Sequence, residues 1–199
     1  MSQPPIPGSA EDKLDMNEIR ATYELLPVVA ELRANPDFAE LEPDDREEAS
    51  EEEKGRYLQA GPMAGSRGLA IRRTFWNEKE KLAASIVFFG PGLEGWPSFV
   101  HGGAISVVLD ERLGRVALRI FPERDGVTAN LNIDYRAPVI SGNFYTVYAK
   151  YDAEKSTERK AYVDGTILDI AGNLCAEATG LFVVPKNFKP SQLNKHGSA

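Results

Sequence analysis

A histidine followed by two glycines, His101-Gly102-Gly103, stands directly before an apolar stretch that is long enough to form a helix. The first amides of a helix lack an intrahelical acceptor and carry the positive end of the helix dipole. Because the two glycines have no side chains, an oxyanion can approach their amides closely. The motif therefore favours stabilisation of a negatively charged oxygen, with tight packing at a helix start as the alternative interpretation.

An aspartate, Asp110, follows Gly102 by eight residues on the predicted helix, which runs from Gly102 to about Ile120. It shares one helical stripe with Ser106, Leu113 and Ala117. A carboxylate in such a partly dehydrated position suits a general base. The alternatives are a salt bridge to Arg112 or Arg115, or a solvated acid. The neighbouring acid, Glu111, points about 100° away around the helix.

The spacing of Gly102 and Asp110 has a geometric consequence. Eight residues of helix rise by roughly 12 Å, whereas a reacting carbonyl must lie within about 3 Å of both groups. Either the helix is interrupted, or the amide and the carboxylate come from two copies of the chain. Two such helices packed antiparallel across a two-fold axis bring each Gly102 to the Asp110 of the other chain. A monomer is then expected to be inactive.

The elements that position these residues are one buried helix and several strands. Apolar residues cover most of the circumference of the 102–120 helix, so other structure must wrap it. Short turns between the strands favour antiparallel pairing. The predicted strands are 69–76, 82–89, 131–137, 143–152, 160–170 and 174–184. The sequence thus predicts an α+β fold in which a curled antiparallel sheet holds a long central helix.

The chain before the sheet has a different character. Residues 1–15 are predicted to be disordered, and apolar spacing predicts a helix over 16–33 that is kinked or split at Pro27. A second helical stretch is predicted to begin at Pro43. The expected organisation is an N-terminal helical and acidic extension (1–60, partly disordered), a core domain (61–190) and a disordered tail (191–199).

Charge and hydropathy exclude several classes of partner. The formal charge of −7 is concentrated between Asp37 and Glu53, where ten acids accompany one base. Such a block repels nucleic acid and anionic lipid. It is interpreted as a solvated helix face, with a regulatory arm as the alternative. No window reaches the roughly 18 uninterrupted apolar residues of a membrane helix, and no secretory h-region is expected.

The sequence offers little for a metal or a nucleotide cofactor. With Cys175 as the single cysteine, and His101 and His196 as the two histidines, no metal site is expected. A GxGxxG pattern lies in the Gly- and Pro-rich stretch 90–97, which predicts an irregular loop. There Pro91 removes an amide, and no βαβ unit surrounds the pattern. We expect no cofactor, and the lone thiol favours a reducing, cytoplasmic location.

The residues from Gly95 to Asp110, GWPSFVHGGAISVVLD, resemble the hotdog-fold acyl-CoA thioesterases. The resemblance is to the phenylacetyl-CoA-thioesterase-like and fatty acyl-CoA thioesterase groups. Thr128 to Pro138 is similar to the next strand of these proteins, and Ala176 to Phe182 is similar to their last strand. The resemblance covers about Leu69 to Pro185.

This resemblance implies a hotdog fold and an acyl-CoA hydrolase that acts as a homodimer, or as a dimer of dimers. In the family the amide matching Gly102 binds the carbonyl oxygen, and the carboxylate matching Asp110 is the base or the nucleophile. Thr128 matches a threonine that positions the carboxylate or its water, with an ordinary strand threonine as the alternative. The loop 121–127 before it is slightly longer than in close relatives. His101 either orients the substrate carbonyl or bonds the backbone at the helix start.

The expected function is therefore hydrolysis of a medium- or long-chain acyl-CoA. The alternatives are a non-catalytic acyl-CoA-binding or regulatory hotdog protein, and a hydratase or dehydratase, which in the family uses a paired acid and histidine on a different motif. Cations that could contact coenzyme A phosphates, none of which is assigned, are Arg67, Arg72, Arg73, Arg136, Lys150, Lys155, Arg159 and Lys160.

Overall fold

A computed structural model of the chain describes residues 5, 6, 8–42 and 50–186. The helices are α1 (Ala10–Glu24), α2 (Pro27–Ala34), α3 (Glu51–Lys54) and α4 (Gly102–Ile120). The strands are β1 (Ala39–Glu40), β2 (Arg72–Asn77), β3 (Leu82–Phe89), β4 (Glu94–Trp96), β5 (Phe99–Val100), β6 (Val127–Tyr135), β7 (Asn143–Thr157), β8 (Lys160–Asp169) and β9 (Leu174–Val183).

Seven strands form one antiparallel sheet in the order β1-β2-β3-β7-β8-β9-β6. Helix α4 packs against β3, β7, β8, β9 and β6. Because neighbouring strands lie about 4.8 Å apart, five strands reach one helix of about 10 Å diameter only if the sheet curls around it. The expected α+β hotdog fold, a long central helix wrapped by an antiparallel sheet with an N-terminal helical extension, is confirmed.

Strand β3 is buried on both faces because helices cover each side of it. Its residues Val87 and Phe89 belong to the core around α4. The alternate residue Ile86 faces the other way and packs in a second core with Tyr23 of α1 and Val29 of α2. The N-terminal helices thus bury the outer face of β3, which would otherwise expose an apolar surface to water.

Helix α1 begins earlier than the sequence pattern indicates. The expected disorder over residues 1–15 is wrong for the last six of them, since α1 starts at Ala10. Ser9 caps this helix by accepting a hydrogen bond from the Asp12 amide at 3.1 Å. The carboxylate of Asp12 is itself held by the amide and hydroxyl of Ser66, at 2.9 and 2.6 Å. That long-range contact stabilises the helix start and has no local sequence signal.

The predicted helix over 16–33 is split at Pro27, which is the first residue of α2, a position where its missing amide costs no hydrogen bond. The segment 90–97 is more regular than predicted. It contains a 3₁₀ turn over Pro91–Leu93 and the β4–β5 hairpin, so the prediction of an irregular loop is wrong. Residues 43–49, where the second helical stretch was expected to begin, and the tail 191–199 lie outside the described residues.

Candidate active site

Helix α4 begins at Gly102, and its first amides have different hydrogen-bond partners. The Gly103 amide donates to Nδ1 of His101 at 2.8 Å. The carbonyl oxygen of His101 accepts from the amides of Ala104 and Ile105, at 2.9 and 3.2 Å. The Gly102 amide has no acceptor among the described residues, as is usual for the first helical position. Because the peptide bond is trans, this N–H points away from the helix, opposite to the His101 carbonyl.

His101 is held from both sides. Its amide donates to the Leu93 carbonyl at 2.8 Å. Its ring packs on the backbone of Gly95, where a Cβ would lie 2.9 Å from the His101 Cδ2 atom. Because Nδ1 accepts the Gly103 amide, a neutral ring carries its proton on Nε2 and presents a donor on its other edge. His101 therefore bonds the backbone at the helix start, and its contact with a substrate stays a prediction.

Asp110 lies two turns further along α4 and is half-buried. The hydroxyl of Thr128, on β6, donates to its Oδ1 at 2.8 Å. The alternative in which Asp110 is neutralised by a neighbouring arginine is wrong. Arg112 and Arg115 lie 3.3 and 2.8 Å from a carboxylate oxygen of Glu111 instead. Asp110 is thus an oriented carboxylate without an ion-pair partner among the described residues.

Two cavities meet at Asp110. One has a volume of about 420 Å³ and is lined by Asp110, Val107, Leu131 and the segment 56–60. The other, about 380 Å³, lies on the Thr128 side of the helix. The carboxylate can therefore be approached both from under the N-terminal extension and from the β6 edge of the sheet.

The segment 56–60 was not recognised from the sequence as part of the site. Its anchor is Gln59, which is buried and donates from Nε2 to the carbonyl of Val107 at 2.9 Å. Tyr135 was also missed. It lies on β6, and its hydroxyl contacts the Gly102 carbonyl at 3.0 Å. Both contacts join residues far apart in sequence, so no local pattern indicates them.

The structure excludes one of the two geometric alternatives. Helix α4 runs without interruption from Gly102 to Ile120. The Gly102 amide and Asp110 of one chain are therefore separated by roughly 12 Å along the helix axis. They cannot bind one carbonyl group together within a single copy of the chain.

The structure also bears on three features that the sequence analysis argued against: a dinucleotide site, a metal site and a membrane helix. The GxGxxG pattern forms the 3₁₀ turn and the start of β4, which is not a phosphate-binding strand–helix turn. Within residues 5, 6, 8–42 and 50–186, no three His, Cys, Asp or Glu side chains are grouped so that they could hold a metal ion. None of the helices in this part of the chain is long and apolar enough to cross a membrane.

The hydrogen bond from the Thr128 hydroxyl to Asp110 can be tested by a single substitution. Thr128→Val removes the hydroxyl that orients Asp110 while keeping the shape of the side chain. Because a hydrogen bond to a charged group is worth more than a neutral one, we expect the rate constant of a reaction that uses the Asp110 carboxylate to fall about tenfold. Thr128→Ser keeps the donor and should stay near the parent rate. Equal rates for the Val and Ser variants would show that this hydrogen bond does not contribute.

Comparison with known proteins shows the family to which the chain is related. The family model of the thioesterase superfamily matches residues 98–176. An uncharacterised protein of Schizosaccharomyces pombe, C26H8.11c, is 32% identical over 175 residues, which is 85% of this chain and 91% of that protein. The mouse acyl-coenzyme A thioesterase THEM4 is 38% identical over 117 residues, 58% of this chain. The chain spans about half, 49%, of the length of THEM4.

Among solved structures, the BH2602 protein from Bacillus halodurans with CoA is 27% identical, with a TM-score of 0.46 over 50% of this chain and 65% of that one. The family match covers His101, Gly102, Asp110 and Thr128, and the fission yeast relative is matched over nearly its full length. The chain therefore belongs to the thioesterase superfamily of hotdog-fold proteins.

Proposed function

We propose that this protein is an acyl-CoA thioesterase that hydrolyses a medium- or long-chain acyl-CoA to the free acid and coenzyme A. The observation that carries this proposal is the Asp110–Thr128 pair. It is an oriented, half-buried carboxylate beside two cavities, without a neutralising cation among the described residues. The likeness to THEM4, which is named an acyl-coenzyme A thioesterase, supports the substrate class.

The chemistry requires two groups around the thioester carbonyl. Asp110 either takes a proton from the attacking water or attacks the carbonyl carbon itself. The carbonyl oxygen gains negative charge as the new bond forms, and the Gly102 amide, which has no acceptor among the described residues, stabilises it. Collapse of this intermediate breaks the carbon–sulfur bond, and the coenzyme A thiolate leaves and takes up a proton, which Asp110 supplies when it acted as the base. When Asp110 attacked the carbon itself, water then hydrolyses the acyl–aspartate anhydride, which releases the free acid and restores the carboxylate. We expect the ring of His101, with its proton on Nε2, to donate to the same oxygen.

The active form in this proposal is a homodimer, with a dimer of dimers as its higher assembly. The distance between Gly102 and Asp110 in one chain supports it, because the partner's Asp110 must complete the site. Strand β6 supports it as well. It bonds β9 along one edge only and is the last strand of the sheet, with seven of its nine residues exposed. A nine-residue unpaired edge is suited to pairing with its own copy, which would satisfy its free amides and carbonyls.

The acyl chain is proposed to occupy the cavity of about 420 Å³, against the apolar part of its wall, which is formed by Leu58, Val107 and Leu131; charged side chains such as Arg56, Arg72 and Arg115 line the rest. This places the segment 56–60 of the N-terminal extension next to the substrate. The proposed location of the protein is cytoplasmic, in keeping with its single cysteine, Cys175, which is free and buried.

Coenzyme A release from acyl-CoAs of short, medium and long chain tests the activity directly. We expect saturable release with the highest kcat/KM for medium or long chains, because only these fill the apolar cavity. Gel filtration with light scattering should show a dimer or tetramer. Tight acyl-CoA binding without thiol release across the whole panel would instead establish the non-catalytic acyl-CoA-binding protein.

A further inference from the structure

Two hydroxyl groups with no assigned role lie between the proposed reacting groups. The hydroxyls of Ser106 and Tyr135 are 2.9 Å apart, and both contact the Gly102 carbonyl oxygen, at 2.9 and 3.0 Å. Ser106 stands one helical turn after Gly102 and one turn before Asp110. The pair therefore ties the beginning of α4 to strand β6 on the face of the helix that carries Asp110.

Symmetry assigns a special place to Ser106. When two identical helices pack antiparallel about a two-fold axis, a contact between one residue and a second residue of the partner is repeated as a contact between that second residue and the first residue of the partner. If Gly102 faces the partner's Asp110, then each following position faces the preceding position of the partner, so that 103 faces 109 and 104 faces 108. The residue halfway between 102 and 110 then faces its own copy. That residue is Ser106.

We infer that Ser106 lies on the two-fold axis of the catalytic dimer, and that the Ser106–Tyr135 hydroxyl pair is the polar contact on which the two helix starts meet. This inference rests on the proposed function, because it takes the pairing of Gly102 with the partner's Asp110 as given. Each reaction site then lies four residues, or about 6 Å, from the axis along the helix. Ser106 and Tyr135 are positioning residues in this arrangement.

The side chains around Ser106 are compatible with a position on the two-fold axis. A position that faces its own copy cannot carry a charge without repulsion from its equivalent. The outer face of α4 is otherwise rich in charge, with Asp110, Glu111 and Arg115, whereas Ser106 is small and neutral. Its partner Tyr135 is also neutral and is 52% exposed on the edge strand. Tyr135 is thus available for contact with a second copy, whereas Ser106 is half-buried and lines the cavity of about 420 Å³ beside Asp110.

A symmetric disulfide tests this placement. Helices in contact lie about 8–10 Å apart between axes. Since Cα atoms lie about 2.3 Å from each axis, facing Cα atoms approach to about 4–5 Å, which a disulfide can span. The experiment starts from Cys175→Ala, so that the introduced cysteine is the single thiol in the chain. Cys175 itself is a poor reactant, because burial raises the pKa of its thiol and disfavours the reactive thiolate. Ser106→Cys is then introduced and mildly oxidised.

Most of the Ser106→Cys protein should migrate as a covalent dimer on a non-reducing gel and return to monomer on reduction. The matched control is Lys79→Cys, an exposed position in the turn between β2 and β3, toward the end of the sheet opposite to β6. It reports linking by random collision, and its rate should be at least about tenfold lower. Equal rates for the two variants would overturn the axis placement.

A second pair of variants keeps the inference testable if the cysteine protein folds poorly. Ser106→Asp places two like charges face to face and should raise the dimer dissociation constant at least about tenfold relative to Ser106→Asn. Analytical ultracentrifugation measures both, and equal dissociation constants contradict the inference. Selective cross-linking without any thioester hydrolysis would support the axis and reject the proposed function. Hydrolysis by a dimer that cross-links equally at positions 106 and 79 would reject the axis placement and support the proposed function.

Discussion

Replacing Asp110 by Asn should lower kcat for acyl-CoA hydrolysis at least about a hundredfold, as expected for the loss of a general base or nucleophile. Asn has nearly the same shape as Asp, and its carbonyl oxygen can still accept the hydrogen bond from Thr128, which is 2.8 Å in the parent. The fold and the cavities should therefore be preserved. Only the ability to accept a proton or to attack carbon is removed.

The measurement is steady-state release of coenzyme A, with kcat and KM determined separately. KM should change by no more than a few-fold, because the carboxylate acts mainly in the transition state. The control is Asp164→Asn, which neutralises an exposed aspartate on β8 and should leave kcat unchanged. A loss of less than tenfold in Asp110→Asn, with normal folding, would remove Asp110 from the proposed chemistry.

Gly102→Pro should lower kcat by about 10²–10³-fold, the effect of removing one oxyanion-binding donor. Proline is well accepted at the first position of a helix, because its fixed φ suits a helix and the missing amide has no intrahelical acceptor. His101 already has an extended backbone with ψ 134°, which is compatible with a following proline. The substitution therefore deletes the amide hydrogen while preserving the helix start.

Gly102→Ala is the matched control because it keeps the amide. A Cβ on Gly102 would lie 3.4 Å from the Tyr135 hydroxyl, at the edge of ordinary contact. Gly102→Ala should therefore fold and retain most of the activity. If Gly102→Pro were as active as Gly102→Ala, the oxyanion would have to be stabilised elsewhere. If both were inactive, the glycine would be required for space and not for its amide.

Mixing the two inactive variants distinguishes a shared site from a site within one chain. In a mixed dimer, the Asp110→Asn chain supplies an intact Gly102 amide and the Gly102→Pro chain supplies an intact Asp110. Random reassortment makes half of all dimers mixed, each with one complete site, so about a quarter of the parent activity should return. A site built within one chain would recover none.

The central helix and most strands could be predicted from sequence because their signals are local. The bounds of α4, Gly102–Ile120, and of β3, Leu82–Phe89, match the predicted ranges. Glycines or prolines close each of these segments, and apolar or β-branched residues fill them. The β4–β5 hairpin was missed because it contains few residues. Its turn also requires Ser98 at φ 69°, a conformation that serine seldom adopts.

The site was only partly predictable for a related reason. Gly102 and Asp110 stand out by residue type and by their spacing on one helix, which also predicted that a single chain cannot complete the site. No comparable sequence pattern indicates that Gln59 anchors the segment 56–60 to Val107, or that Tyr135 contacts the Gly102 carbonyl. Each depends on how a distant segment folds back onto α4.

The sequence by itself identified the candidate residues of the site and how far apart the helix must hold them, since helical rise and hydrophobic period depend only on neighbouring residues. Tertiary structure brought the hydroxyl of Thr128 to the Asp110 carboxylate, and it alone decided which segment covers Asp110. The hydrogen bond from Thr128 to Asp110, and the cavity wall formed by residues 56–60, exist only when separate elements pack together. Packing is a sum of many long-range contacts, so it cannot be deduced from a local pattern.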